Sequence, residues 1–290
     1  MMKNTPKWLL YSIYVLAVVV FFIYYLFPSD IIKNYVTSGV NRFNPNVNIS
    51  IDHISPAFPL GLKLYRVNFY NMDSTLLETD QIKVVPNFLS LFRSKIIFFF
   101  KGKAYNGFFE GKGEFFKNRS EQPVVIEGKF SNIHIKEVQA VKQFIRRRMT
   151  GILEGNFTYR NSGKLGGTSE AKFTISDGDV ELLQPVLKIE NISFSKIEVE
   201  MTAGNHRLKI NRCLINASPM DGNVSGLVNL RKPLGQSYLR LLGVIKPKPE
   251  FLEGLGKDLP TNLLPEGIFN KKVVRIRIYG TLDEPRFFMD

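Results

Sequence analysis

Residues 273–281 read VVRIRIYGT, in which β-branched apolar residues alternate with two arginines. Successive side chains of a β-strand point to opposite faces of the sheet, so this alternation predicts a strand with one apolar and one polar face. The same period of two recurs over 62–69 and 197–201. Alternation of this kind is typical of antiparallel sheets that bury a single face. We therefore predict a mainly β protein.

Short repeated motifs indicate how the strands are connected. A four-residue pattern of glutamate, glycine, lysine or asparagine, and then glycine or phenylalanine begins at Glu110, Glu127 and Glu154. Such repetition predicts a long, curved, largely antiparallel sheet that grows hairpin by hairpin, with glycine where the sheet bends or carries a bulge. Chance is the alternative for matches this short. Turn residues predict hairpin turns at Asn161-Ser162-Gly163, Asp177-Gly178, Gly204-Asn205 and Asp221-Gly222.

The segment Ser29–Phe43 has the pattern of a short helix. It begins with a serine that can cap the helix and an aspartate that suits the positive end of the helix dipole. Ile31, Tyr35 and Val40 fall on one face at helical spacing. We predict a short helix that leaves the membrane.

Two further segments are predicted to be helical insertions between strands. Ile135–Met149 has apolar residues at helical spacing, and Arg146-Arg147-Arg148 fall in its last turn. The helix dipole explains basic residues at that end, and a dedicated polyanion site is the alternative. Glu250–Leu259 follows a Lys-Pro-Lys-Pro breaker. We find no domain boundary after residue 30.

An apolar segment, Trp8–Phe27, predicts a membrane anchor. It is free of charge, and at about 1.5 Å per residue its twenty residues reach about 30 Å, the thickness of a bilayer's hydrocarbon core. Lys3 and Lys7 precede it, which favours a cytoplasmic amino terminus. A cleaved signal peptide is the alternative, but the segment is long for one and lacks a small-residue cleavage site. We predict a cytoplasmic stub and transmembrane anchor over 1–28 and one exported β domain over 29–290.

The net charge is strongly positive, with 39 basic residues against 26 acidic ones. Without Lys3 and Lys7 the balance is 37 against 26, or +11. Outside the cytoplasm we expect no nucleic-acid partner, so the available polyanions are lipid headgroups, lipopolysaccharide and other envelope polymers. Scattered, well-solvated surface lysines are the alternative.

Reactive side chains do not form a recognisable constellation in the sequence. His53, His134 and His206 are far apart, and none lies in a zinc-protease motif. Cys213 lies between apolar residues and is interpreted as a small buried hydrophobe. No Walker loop, nucleophile elbow or carboxylate pair is recognisable. We predict a protein that is not an enzyme, with no catalytic, cofactor-binding or metal site.

The run Ile96-Ile97-Phe98-Phe99-Phe100 is apolar at every position. A strand in a one-sided sheet needs apolar residues at alternate positions only, so this run predicts cover on both faces. Packing under a helix is the favoured interpretation, and lipid binding is the alternative.

Several short motifs resemble one family of envelope proteins. Their order along the chain is Phe27-Pro28-Ser29-Asp30 after the apolar segment, Ile49-Ser50-Ile51, Ser55-Pro56, Pro59-Leu60-Gly61-Leu62-Lys63-Leu64, the segment from Pro86 to Arg93, Thr150–Gly155, and a closing strand with a G-T-L-x-x-P signature over Val274–Arg286. With these motifs the chain resembles the type II secretion system protein N family, which belongs to the wider AsmA-like group.

The resemblance implies a non-enzymatic accessory component of a type II protein secretion system. Such a protein is single-pass in the bacterial inner membrane, with its bulk in the periplasm, and other secretion-system components are possible partners. The AsmA-like group implies an alternative function, lipid binding or lipid transfer in envelope assembly, with lipid or lipopolysaccharide as the partner. The family has no catalytic residues to transfer.

Overall fold

The computed structural model describes residues 7–43, 48–58, 60–71, 74–117, 123–145, 147–161, 167–186, 189–249 and 273–289. Its α-helices are α1 (Lys7–Tyr25), α2 (Ser29–Phe43), α3 (Phe88–Leu91) and α4 (Gln139–Ile145). Short 3-10 helices lie at Ile135–Glu137 and Leu234–Gln236. The strands are β1 (Asn48–Ser50), β2 (His53–Ala57), β3 (Gly61–Asn71), β4 (Ser74–Pro86), β5 (Lys95–Ala104), β6 (Gly107–Phe116), β7 (Val124–His134), β8 (Ile152–Asn161), β9 (Gly167–Val186), β10 (Ile189–Gly204), β11 (Arg207–Ala217), β12 (Met220–Asn229), β13 (Tyr238–Pro247), β14 (Val274–Thr281) and β15 (Pro285–Met289).

All fifteen strands belong to one sheet. From β3 to β15 the spatial order is the order along the chain, and each neighbouring pair is antiparallel. The short strands β1 and β2 both pair with β3, at its two ends. The predicted mainly β, hairpin-by-hairpin sheet is therefore confirmed. The division into residues 1–28 and 29–290 stays a prediction.

The turn predictions have mixed outcomes. Gly204-Asn205 is confirmed, because Asn205 and His206 connect β10 to β11 with φ values of 50° and 58°, as a two-residue type I′ hairpin requires. Asp177-Gly178 lies inside β9 and Asp221-Gly222 inside β12, so both turn predictions are wrong. Asp177 has a φ of 51°, which shows that the dipeptide distorts a continuous strand rather than ending it. Of Asn161-Ser162-Gly163, the last two residues lie outside the described residues.

Helix α2 has the predicted bounds. Ile32 and Val36 pack against a cluster of four buried apolar residues, Ile51, Ile54, Leu64 and Val67. Ile31 and Tyr35, which share another face of the helix, are exposed. The Ser29 hydroxyl donates to the Ile54 carbonyl oxygen at 2.8 Å and accepts the Ile54 N–H at 3.3 Å, which joins the start of α2 to β2. This double hydrogen bond fixes the register of the helix on the sheet.

The second predicted helix, Ile135–Met149, is shorter than expected. Extended backbone at Val138 (ψ 105°) separates the 3-10 helix from α4, and α4 ends at Ile145. Beyond it, Met149 forms a β-bridge with Val180 of β9. Strand pairing therefore replaces the last helical turn. The predicted helix Glu250–Leu259 lies outside the described residues.

The predicted anchor segment forms α1. Its large apolar side chains are exposed all around the helix, from Trp8 to Tyr25. No membrane-spanning helix is found among the described residues. The prediction of a transmembrane anchor over Trp8–Phe27 is therefore not supported.

Truncating Ile54 tests the packing of α2 on the sheet. Ile54 is fully buried, so Ile54→Ala leaves a cavity, and we expect the free energy of unfolding to fall by about 2–4 kcal/mol in urea denaturation. Leu60→Ala, at an exposed residue near the β2–β3 connection, is the control and should stay within about 0.5 kcal/mol of the parent. An equal effect of the two substitutions would contradict the packing described here.

Candidate functional site

The two faces of the sheet differ sharply in chemistry. Residues directly opposite each other on antiparallel strands share a face, so a row of paired residues can be followed from strand to strand. One row crosses thirteen strands and contains only apolar residues and glycine. Its members from β3 to β15 are Leu62, Val84, Phe100, Gly111, Gly128, Phe157, Ala171, Met201, Ile210, Gly226, Leu241, Ile278 and Phe287. We call this the apolar row and its side of the sheet the apolar face.

The neighbouring row lies on the opposite side and is polar at every position. Its members from β3 to β11 are Lys63, Lys83, Lys101, Glu110, Lys129, Asn156, Lys172, Glu200 and Arg212. Six basic residues face two glutamates, which gives this polar row a net charge of +4. The positive charge of the chain is therefore concentrated in part on one side of the sheet.

Aromatic rings lie over cross-strand glycines on the apolar face. A Cβ atom built on Gly111 would come within 2.5 Å of the Phe100 ring, and one on Gly128 within 2.5 Å of the Phe157 ring. On Gly113 it would meet the Phe98 ring at 2.0 Å. Only a residue without a side chain leaves room for these rings. This pairing, rather than a bend in the sheet, explains the repeated glutamate-glycine motifs at 110–111 and 127–128.

Four phenylalanines of β5 and β6 form an aromatic patch within the apolar face. Phe98 stacks on Phe115 with ring centroids 5.3 Å apart, and Phe100 lies 6.3 Å from both Phe98 and Phe109. All four side chains are half-buried. The patch follows Val84 of β4 and precedes Phe157 of β8 along the apolar face.

The apolar run at 96–100 does not have full cover on both faces. Phe98 and Phe100 belong to the aromatic patch, whereas Phe99 lies on the polar face opposite Lys112 and is 47% exposed. The short helix α3 meets the start of the run, where the Ile97 N–H donates to the Ser90 hydroxyl at 2.9 Å. The prediction of cover on both faces is therefore wrong at Phe99.

Buried clusters occupy parts of the apolar face away from the aromatic patch. The cluster near α4, which we call the α4 cluster, consists of Ile135, Ile175, Phe194 and Ala217, with Val141 and Met149 packed against it. A further cluster of Val228, Leu239 and Leu241 lies on β12 and β13. In strand order the half-buried aromatic patch lies between α2 and the α4 cluster.

Ion pairs cross the polar face from strand to strand. The Nζ of Lys101 lies 2.7 Å from a Glu110 carboxylate oxygen, and that of Lys172 lies 3.2 Å from Glu200. The hydrogen bond from Lys101 holds the pKa of Glu110 below its usual range. These side chains are exposed, so each pair adds little stability.

The histidines and the cysteine lie apart from one another in the sheet. His53 begins β2, His134 ends β7 and His206 lies in the β10–β11 turn. The described residues contain no group of three or more metal-ligating side chains. Cys213 faces Val199 on the apolar side and is half-buried rather than buried, and burial raises the pKa of its thiol. The thiol therefore stays protonated near neutral pH.

The arginine run lies beyond the helix that was expected to contain it. Since α4 ends at Ile145, Arg147 and Arg148 are not in its last turn, and Arg146 lies outside the described residues. The helix-dipole interpretation is therefore wrong for Arg147 and Arg148. Arg148 instead pairs with Glu181, with 3.3 Å between Nε and a carboxylate oxygen.

Comparison with protein-family models, with curated proteins and with solved structures finds no match for this chain. The resemblance to the type II secretion system protein N family and the AsmA-like group stays a prediction.

Adding a methyl group at Gly111 tests the pairing of rings with glycines. A Cβ there would meet the Glu127 carbonyl oxygen at 2.2 Å as well as the Phe100 ring, so we expect Gly111→Ala to lower the free energy of unfolding by about 1–3 kcal/mol. Gly222→Ala, also within a strand, is the matched control because its nearest contact would be an ordinary 3.5 Å. Equal stability of the two variants would contradict the close packing at Gly111.

The pH dependence of stability tests the ion pairs. A hydrogen bond from Lys95, at 2.9 Å, is the main cause that lowers the pKa of Glu114. A lowered folded-state pKa means that the stabilisation is complete above the ordinary glutamate pKa and is lost as the pH falls through the lowered value. We expect Glu114→Gln to be less stable than the parent by about 0.5–1 kcal/mol at pH 7 and equal to it in strong acid.

The control for this series is Glu154→Gln on the same face. Glu154 is exposed and makes no ion pair among the described residues, so its replacement should change stability little at any pH. Denaturation curves for the three proteins between pH 2 and pH 7 supply the comparison. A constant difference for Glu114→Gln across that range would contradict the ion pair.

Proposed function

We propose that this protein binds lipid acyl chains along the apolar face of its sheet and is not an enzyme. The observation that carries the proposal is the apolar row, which continues without a polar residue across thirteen strands. At about 4.8 Å between strands, the row is about 58 Å long. A bilayer's hydrocarbon core is about 30 Å thick, so the row is longer than the apolar region that two opposed acyl chains span, although Leu62 and Leu241 already pack into buried clusters.

The chemistry of the face suits acyl chains better than most other ligands. An acyl chain makes no hydrogen bonds, and the apolar row offers it no side-chain donor or acceptor. Each methylene group that binding removes from water contributes about 0.8 kcal/mol to the free energy of binding. The cost of ordering the bound chain must be subtracted from that contribution. Binding of an acyl chain also removes the half-buried rings of the aromatic patch from water. The charged polar face keeps the opposite side of the sheet in water.

The proposal includes a location in the bacterial envelope. We place residues 29–290 in the periplasm and α1 in contact with the inner membrane. The support is the exposed apolar side chains of α1, the two lysines Lys3 and Lys7 that precede them, and the basic polar row. Anionic lipid surfaces attract basic side chains by about 1 kcal/mol each.

A second candidate function is that of an accessory component of a type II protein secretion system. Its support is the sequence resemblance, carried in part by the segments 60–64 and 274–286. These segments form the β2–β3 hairpin and the β14–β15 hairpin, near opposite ends of the sheet. In the second hairpin Gly280 has a φ of 97°, and the Glu284 N–H donates to the Thr281 hydroxyl at 3.1 Å, which accounts for the Gly-Thr pair.

Photocrosslinking from adjacent positions on the two faces tests the lipid proposal. A benzophenone amino acid is placed at Phe100 or Phe157 on the apolar face, and at Phe99 or Thr158 on the polar face. The full chain is incubated with radiolabelled dioleoylphosphatidylglycerol in mild detergent and irradiated. We expect at least about tenfold more labelled lipid on the apolar-face positions, because neighbouring residues of a strand face opposite sides.

Equal labelling at the two faces would overturn the lipid proposal. Because the comparison is made within one strand, a loss of folding affects both positions and is detected by circular dichroism. The secretion candidate is tested separately, by deleting the gene and measuring export of folded proteins to the medium. Unchanged export would contradict it.

A further inference from the structure

We propose that Arg147 binds the phosphate of an anionic lipid whose acyl chains lie on the apolar face. This inference rests on the proposed function and names the headgroup chemistry of the same site. Its basis is the geometry of the segment that follows α4, together with the buried and unpaired Nε atom of Arg147.

The segment after α4 is fixed against β9 by backbone hydrogen bonds. The Glu181 N–H donates to the Arg148 carbonyl oxygen at 3.0 Å, and the Thr150 N–H donates to the Asp179 carbonyl oxygen at 2.9 Å. Met149 lies between them, opposite Val180. Residues 148–150 therefore act as a short extra strand beside β9, and their side chains alternate between its two sides.

The two arginines of this segment have opposite environments. Arg148 is 87% exposed and pairs with Glu181. Met149, on the other side, packs against the α4 cluster on the apolar face. Arg147 lies at a bend just before this segment, two residues from Met149, and its Nε atom is buried.

The guanidinium of Arg147 has an unmet hydrogen-bonding requirement. Its buried Nε makes no hydrogen bond, and Arg147 makes no ion pair among the described residues. The charge of Arg147 helps to lower the pKa of Glu181, but the Glu181 carboxylate already accepts the Arg148 N–H and its Nε–H, both at 3.3 Å. A buried donor left unpaired is destabilising, and since Nε is out of solvent reach, an anion contacts the terminal nitrogens of this half-buried guanidinium.

A lipid phosphate meets this requirement better than a carboxylate of the chain. The planar guanidinium presents donors in a fork that matches two phosphate oxygens. The adjoining α4 cluster opens onto the apolar row, since Phe173 lies two positions from row member Ala171 on β9 and Ile197 lies four positions from row member Met201 on β10. An anionic headgroup at Arg147 therefore has an apolar surface for its chains beside it.

Two probes with identical chains separate the headgroup from the chains. Dioleoylphosphatidic acid carries a phosphate, and dioleoylglycerol does not. Binding of each to the full chain in mild detergent is measured by native mass spectrometry, with inorganic phosphate as a competitor. We expect the parent to bind the phosphatidic acid about tenfold or more tightly than the diacylglycerol, as a charge-assisted hydrogen bond implies.

Arg147→Gln should abolish this preference while leaving diacylglycerol binding unchanged. Arg148→Gln is the matched control, with the same change of charge one residue away on the solvent side, and should keep the preference. Arg147→Lys should keep part of it. Millimolar inorganic phosphate is added to compete with each probe in turn. If it displaces both probes to the same degree, the site binds free phosphate, and the lipid assignment is overturned.

The outcomes also distinguish this inference from the proposed function. A preference for phosphatidic acid that survives in Arg147→Gln would overturn the role of Arg147 while lipid binding stands. Failure of the parent to bind either probe would overturn lipid binding itself. Loss of both probes in Arg147→Gln, with an unchanged circular dichroism spectrum, would also overturn the headgroup role, because it would indicate damage to the apolar face.

Discussion

The structure depends on the contact between an aromatic ring and a glycine on the neighbouring strand. Where no helix covers the described part of the sheet, no second layer fills the spaces between its side chains, so large residues must cover the backbone beside them. Phe100 over Gly111 and Phe157 over Gly128 do this within one row of paired residues. A side chain at either glycine would force the ring or the neighbouring strand to move, and the strand register holds these partners opposite each other.

This arrangement produces two faces of opposite character on one continuous sheet. Backbone hydrogen bonds between antiparallel neighbours give the sheet its continuity, and the apolar clusters near α2 and α4 anchor it at separate places. The aromatic patch between them stays half-buried, so its rings can lose further exposed area to an apolar ligand. The basic polar row on the other side prevents a second sheet from stacking there without the cost of burying charge.

Sequence reasoning succeeded where local pattern and tertiary packing agree. Alternation over 274–278 predicted β14, and a capping serine with an acid predicted α2 with its observed bounds. It failed where tertiary contacts override a local signal. Asp177-Gly178 reads as a turn, yet β9 continues through it. The helix expected over 135–149 ends early because Met149 pairs with Val180, a partner far away in sequence.

The sequence by itself determined the class of the fold and the existence of two chemically different faces, because side-chain alternation is a local property of an extended chain. Only the tertiary structure decided which residues meet across the strands. Register is set by hydrogen bonds between segments, so neither the pairing of Phe100 with Gly111 nor the apolar row could be read from one strand at a time. The different environments of Arg147, with a buried Nε atom, and of Arg148, which is exposed and paired with Glu181, have the same origin, since they follow from the pairing of 148–150 with β9.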